Sequence, residues 1–269
     1  MAGKAVTIRD GADAIRAIDS LHVRAFHRDF YGTAVGEVAV VGDFDAGTLK
    51  QELRRLFADW ISPMPCQRIS SPRIPVRGTR EVLETPDRAG AVLLTRLSFP
   101  LRTTDTQYPA LIAANYILGG GVSSRLGSRI RQQEGLSYQI GSNLWGGDWD
   151  DDGGMQISAS AAPGNIERLE RARREELRRF VSAGITGQEL ADAKEGLLAS
   201  YAGSRASDSA IAGTLQANLY LGRTMQWIEA FEASLRNLRV ENVNAAIGAR
   251  IDATALSVFI AGDFRRPRD

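Results

Sequence analysis

The chain has 269 residues, 43% hydrophobic and 24% charged, a balance that can bury a sizeable core as one large domain or two smaller ones. Its 33 basic and 32 acidic residues nearly cancel, so overall charge argues against a nucleic-acid partner and against strong attraction to an anionic membrane. One cysteine, Cys66, excludes an intrachain disulfide and a Cys-type zinc site, and suits cytoplasm and periplasm alike.

No apolar run reaches the roughly 18 residues of a membrane-spanning helix. The amino-terminal stretch Met1–Ala14 lacks the apolar core of a signal peptide. In chain order, Ser20 is placed to cap a helix through LHVRAFHRDF. GEVAVV follows as a strand, GDFDAG as a turn, and TLKQELRRLFADW as an amphipathic helix. Four prolines between Pro63 and Pro75 mark an extended linker. TREVLET and GAVLLTRLSF read as strands, and YPALIAANYIL, apolar on nearly every face, as a buried helix. LSYQIGSNLW and GMQISASAA read as strands joined by an acidic turn. Long helical stretches fill about residues 164–250, and LSVFIAGDF closes the chain as a strand. Strands grouped apart from helices argue for an α+β fold.

Residues 23–45 align without a gap to residues 243–265, with six identities in 23 positions and the same helix–strand–GDF order. That spacing suggests a duplicated module of about 220 residues. Residues 1–62 are then the tail of a first module, 63–78 a Pro-rich linker, and 79–269 most of a second module.

The stretch LGGGVSSRLGSRIRQQEGLSY, residues 118–138, raises the question of chemistry. It matches neither G-x-x-x-x-G-K-[ST] nor G-x-G-x-x-G, and it follows a helix rather than a strand, which argues against nucleotide binding. Gly119, Gly120 and Gly121 are placed to end the preceding helix and turn the chain. Ser123 or Ser124 can cap a second helix, and Gly135 can end it. Arg131 then falls in the last helical turn and Tyr138 just inside the next strand, so the two side chains can converge. Helix-dipole stabilisation of Arg131 and ordinary packing of Tyr138 would produce the same pattern.

The combination of a glycine turn, S-S-R-L and R-x-x-E-G-L-x-Y resembles the carboxy-terminal-module signature of the pitrilysin/insulysin zinc peptidases, the H-x-x-E-H family. AFHRDFYG…VAVVGDFD resembles the segment joining that family's two modules, and the likeness spans essentially the whole chain. It implies a mixed, mostly antiparallel sheet packed against several helices, preceded by a helix–strand–helix tail. It implies a module that binds no zinc itself but contributes Arg131 and Tyr138 to the active site of a homologous zinc-binding module, in the same parent chain or a separate subunit. The substrate would be a peptide or small protein, held extended, with the peptide adding a strand to a sheet edge. A permanent guanidinium can hold substrate carbonyls, and a neutral phenol can donate to a developing oxyanion. The resemblance also admits a structural scaffold subunit without a role in proteolysis. A bacterial source and a compartment set by any leader on the parent chain, periplasmic with one and cytoplasmic without, complete the expectation.

The zinc chemistry itself needs residues this sequence lacks. Its two histidines, His22 and His27, are five apart, about 140° around a helix, with no Glu between them. Any zinc is therefore expected in the partner module. DWDDDG, Asp148 to Gly153, starts like a calcium loop, but the position of the bidentate Glu is Ala159, so a solvated hairpin turn is expected. NIERLERARREELRRF should be a solvated helix face stabilised by i,i+4 pairs between its glutamates and arginines.

Overall fold

The computed structural model describes residues 8–265. Half of the stretch read for a leader (residues 1–7) and residues 266–269, the end of the expected second module, lie outside the described residues.

Five strands form one sheet: β1 (Arg80–Glu84), β2 (Ala91–Phe99), β3 (Gln139–Trp145), β4 (Gly153–Ala161) and β5 (Ser257–Gly262). Their order is β1-β5-β2-β4-β3. Only β1 and β5 run parallel; the other neighbours are antiparallel. The period-2 pattern of β2 fixes its faces: Leu93, Thr95, Leu97 and Phe99 are buried, whereas Val92 and Arg96 face out. Register carries this across the sheet, because Met155 and Ile157 of β4 sit opposite Leu97 and Thr95, and Val258 and Ile260 of β5 share the inner face.

Helices cover that inner face. α4 (Tyr108–Asn115) is apolar all round and brings Leu111, Ala113 and Ala114 into the core. α5 (Ile166–Ala183) contributes Leu169, Leu177 and Phe180, and α9 (Val240–Arg250) contributes Val243, Ala246 and Ile247. α6 (Gly187–Gly203), α7 (Asp208–Tyr220) and α8 (Met225–Arg236) complete the layer. Each fully buried Leu or Phe stabilises by roughly 1.5–3 kcal/mol. The observed architecture is the expected α+β fold with a mixed, mostly antiparallel sheet.

Three sequence expectations are corrected. Asp19, not Ser20, caps α2 (Ser20–Phe30): its carboxylate accepts from the Leu21 and His22 amides at 2.9 Å, and Ser20 is already helical. GEVAVV is not a strand. A strand exists through pairing with a neighbour, and none of the five lies beside this segment. The sequence alignment of residues 23–45 with 243–265 makes the difference quantitative. Val258 and Ile260, in the centre of the sheet, are 8% and 2% exposed, whereas Val38 and Val40 at the aligned positions are 58% and 42% exposed. Likewise α2, and α3 (Ala46–Phe57) after it, bury no residue, while Val243 and Ala246 of α9 are buried.

The third correction concerns α5. Its glutamates do not pair within the helix. Glu170 binds Arg80 of β1 at 2.9 Å, and Glu175 and Glu176 turn to Arg129. Tertiary partners with better geometry win over the weak i,i+4 pairs.

Candidate functional site

The glycine-rich segment sits between the sheet and α6. After α4 the helix widens into a π-helical turn, Tyr116–Gly120, in which the Gly121 amide reaches back five residues to the Tyr116 carbonyl at 2.8 Å. A second π-helical stretch, Gly127–Gln133, carries Arg129 and Arg131. Such widened turns recur at functional sites. The glycines here are needed for closeness rather than for left-handed backbone, since Gly119, Gly120 and Gly121 have no positive φ. A Cβ on Gly119 would meet the Ser142 backbone nitrogen at 2.7 Å, and one on Gly121 would meet the Tyr116 ring at 2.7 Å. The sharp turn expected from them is thus a helix pressed against β3. Asn115 fastens the same contact: its side chain donates to the Ser142 carbonyl at 3.4 Å, and the Ser142 hydroxyl donates to the Asn115 carbonyl at 3.2 Å. The middle of edge strand β3 is therefore tied to α4.

Of Ser123 and Ser124, the structure selects Ser124 as the cap. It is buried, its hydroxyl accepts from the Gly127 amide at 3.4 Å, and its carbonyl accepts from the Ser128 amide at 2.8 Å. Ser123 lines a cavity of about 430 Å³ between the loop and α6, whose far wall carries Asp192, Glu195 and Gly196. Gly135 ends the helix with φ +62°, the left-handed conformation expected there, and the Leu136 amide closes the turn on the Ile130 carbonyl at 2.9 Å.

Three arginines follow the glycines, and the structure separates them. Arg125 forms a two-pronged pair with Glu189 (2.6 and 2.8 Å) and donates to the Gly184 carbonyl at 2.8 Å. Glu189 also caps α6 through a box with Thr186, and the Arg125 guanidinium holds its carboxyl down at about 2. Arg129 bridges Glu134, Glu175 and Glu176. Both are structural bolts. Arg131 alone of the three has no carboxylate partner among the described residues; it folds back to donate to the Val122 carbonyl at 3.2 Å.

Tyr138 is 94% exposed, and its hydroxyl has no hydrogen-bond partner among the described residues. It stands one residue before β3 rather than just inside it, beside Ser137, whose hydroxyl bonds the Gln139 and Ser160 carbonyls and fixes the strand start. Ordinary packing does not account for this tyrosine. The loop brings Arg131 to Val122, and Gly135 folds the chain back toward Tyr138, but no hydrogen bond joins the two side chains.

The described histidines are not arranged to hold zinc. The His22 ring nitrogen is engaged by the Asp19 amide at 3.4 Å, and His27 stacks between Tyr31 and Trp60 at 5.1 and 5.4 Å. Among the described residues no group of three His, Cys, Asp or Glu is arranged to hold a metal. The acidic hairpin is also not a cation cage. Asp148 accepts from Thr103 at 2.7 Å and faces Arg223 at 3.3 Å. Asp150 accepts two bonds from Arg68 (2.6 and 3.0 Å) and one from the Ser71 amide at 2.7 Å, which hold it at about 2. That clamp ties the Pro-rich segment to the β3–β4 hairpin, and nothing in the sequence pattern announced it.

This fold and this loop define a peptidase-like module whose described residues include no cluster suited to a metal. The family model for the peptidase M16 inactive domain matches residues 17–197, and the chain belongs to that family. It is 28% identical over 184 residues, 66% of this chain, to an uncharacterized zinc protease of Streptomyces coelicolor. It is 28% identical over 57% of its length to a protein of Helicobacter pylori named a non-peptidase homolog. A solved peptidase M16 inactive domain from Pseudomonas fluorescens superposes with a TM-score of 0.79 at 23% identity over 93% of this chain and 59% of that one. The chain spans only 39% and 35% of the two curated relatives.

Proposed function

We propose that this chain is the non-catalytic, substrate-binding module of a zinc metalloendopeptidase, working with a homologous zinc-binding module that lies in the same parent chain or in a separate subunit. The observation that carries the reading is the contrast among the loop residues: Arg125 and Arg129 are consumed by ion pairs, while Arg131 and Tyr138 present unused donors to solvent. Arg131 would hold peptide carbonyls, and Tyr138 would donate to the scissile carbonyl oxygen as charge develops on it. The zinc would be in the partner and would activate water there. Because the middle of β3 is tied to α4, a peptide adding a strand would pair with the start of β3 or with the exposed edge strand β1.

On this reading residues 1–62 belong to the preceding module, 63–78 link the two, and 79–269 form the module described. The unpaired 36–41 segment supports this division, because its equivalent β5 lies between two strands. The naming of the Helicobacter pylori relative supports a second reading, a scaffold that has left proteolysis altogether. Mixing this chain with the zinc-bearing module and assaying a quenched fluorescent peptide library separates the two. Cleavage only in the mixture supports the first reading; a stable complex without cleavage supports the scaffold.

A further inference from the structure

The exposed face of α5 carries Arg168, Arg171, Arg174, Arg178 and Arg179, and none has a carboxylate within ion-pair distance among the described residues. Their natural partners have been drawn away: Glu170 to Arg80, and Glu175 and Glu176 to Arg129. Glu167 and Glu175 are exposed as well, Glu175 already bound to Arg129, so two carboxylates stand against five arginines and the face stays net positive. Arg171, Arg174 and Arg178 stand at i, i+3 and i+7, a row within about 60° around the helix and about 10 Å long at 1.5 Å per residue, with Arg168 one turn before it and rotated further round. Beneath the row, Arg173 is 2% exposed and its Nε has no hydrogen-bond partner among the described residues. Burial pushes its guanidinium down to about 10, and the nearby Arg174 and Arg178 add to that push. The helix thus concentrates like charge in a chain whose total charge is nearly zero.

We infer that this row is a docking surface for an acidic helical face on a partner protein. The chemistry is that of the guanidinium fork, which matches carboxylates in a two-pronged geometry. The spacing is that of a helix: carboxylates at i, i+3 and i+7 recur at the same 4.5–6 Å intervals as the arginines. A membrane surface fits poorly, because no large apolar side chain is exposed between Trp149 and Leu219 to enter the acyl boundary. Nucleic acid fits poorly as well, since a short row with no exposed aromatic beside it offers neither groove tracking nor base stacking.

The test uses the whole chain and a fluorescein-labelled alanine-based helical peptide with glutamates at i, i+3 and i+7 on one face. An isomer with the same glutamates scattered around the helix is the control. The striped peptide should bind, and binding should weaken as salt rises from about 50 to about 200 mM. Arg171→Gln/Arg174→Gln/Arg178→Gln should weaken it about tenfold or more. Arg24→Gln/Arg77→Gln/Arg88→Gln, which removes the same charge elsewhere, should not. Arg174→Glu alone should lose affinity that a Glu→Lys exchange in the peptide restores. Equal binding of the two isomers, or full binding by the row variant, overturns the inference. So does tighter binding of duplex DNA or phosphatidylserine vesicles than of the striped peptide.

Discussion

Replacing Glu189 by Gln should destabilise the chain and flatten part of its acid sensitivity. Glu189 is held by Arg125 on one side and the Thr186 cap on the other, and its carboxyl lies near 2 against an ordinary value of 4.5. A depression of that size corresponds to about 3 kcal/mol at neutral pH. With the Glu189 side chain 28% exposed, screening reduces the expected contribution to about 2 kcal/mol. The sign follows from the depressed pKa: the stabilisation is complete above about pH 4.5, fades as the pH falls, and is gone near pH 2. Urea unfolding of both proteins at pH 7 should show the wild type ahead by about 2 kcal/mol, and the gap should narrow toward pH 3. Equal stability at pH 7, or a gap constant with pH, would refute the assignment of this pair as the bolt between the loop and α6.

Gly119→Ala should cost about 2–3 kcal/mol in the same unfolding assay, because the new methyl meets the Ser142 backbone nitrogen at 2.7 Å as well as the Ser142 side chain, and the strand backbone cannot yield by a rotamer change. Tyr138→Ala, by contrast, should leave stability within about 0.5 kcal/mol of wild type, since the ring buries almost nothing; a larger loss would mean the ring packs against something. Asp150→Asn removes the clamp on Arg68 and Ser71, so limited proteolysis at neutral pH should cut within residues 63–78 faster than in the wild type.

Much of the architecture was legible because it is local. GAVLLTRLSF reads as a strand and is β2, GMQISASAA reads as a strand and is β4, and the uniform apolarity of α4 gave its burial. What escaped is set by distant partners. GEVAVV has the composition of a strand but no neighbour to pair with, and the α5 glutamates look like helix-internal partners until Arg80 and Arg129 appear beside them. The glycine loop was legible as a feature and not as a mechanism. Its first π-helical turn holds Gly119 against Ser142 of β3, a tertiary contact with no periodic signature. The same holds for the site: sequence placed Arg125, Arg129 and Arg131 within one segment, and only the fold distinguishes the two held by carboxylates from the one that, among the described residues, has a backbone carbonyl partner alone.

The measurement that tests the account most directly is the kinetics of Tyr138→Phe in the complex of this chain with its zinc-bearing module. Phenylalanine keeps the ring and removes the donor. If Tyr138 donates to the developing oxyanion, kcat should fall by about tenfold to a hundredfold while KM changes little. An unchanged kcat, in a complex that cleaves peptide, would contradict it.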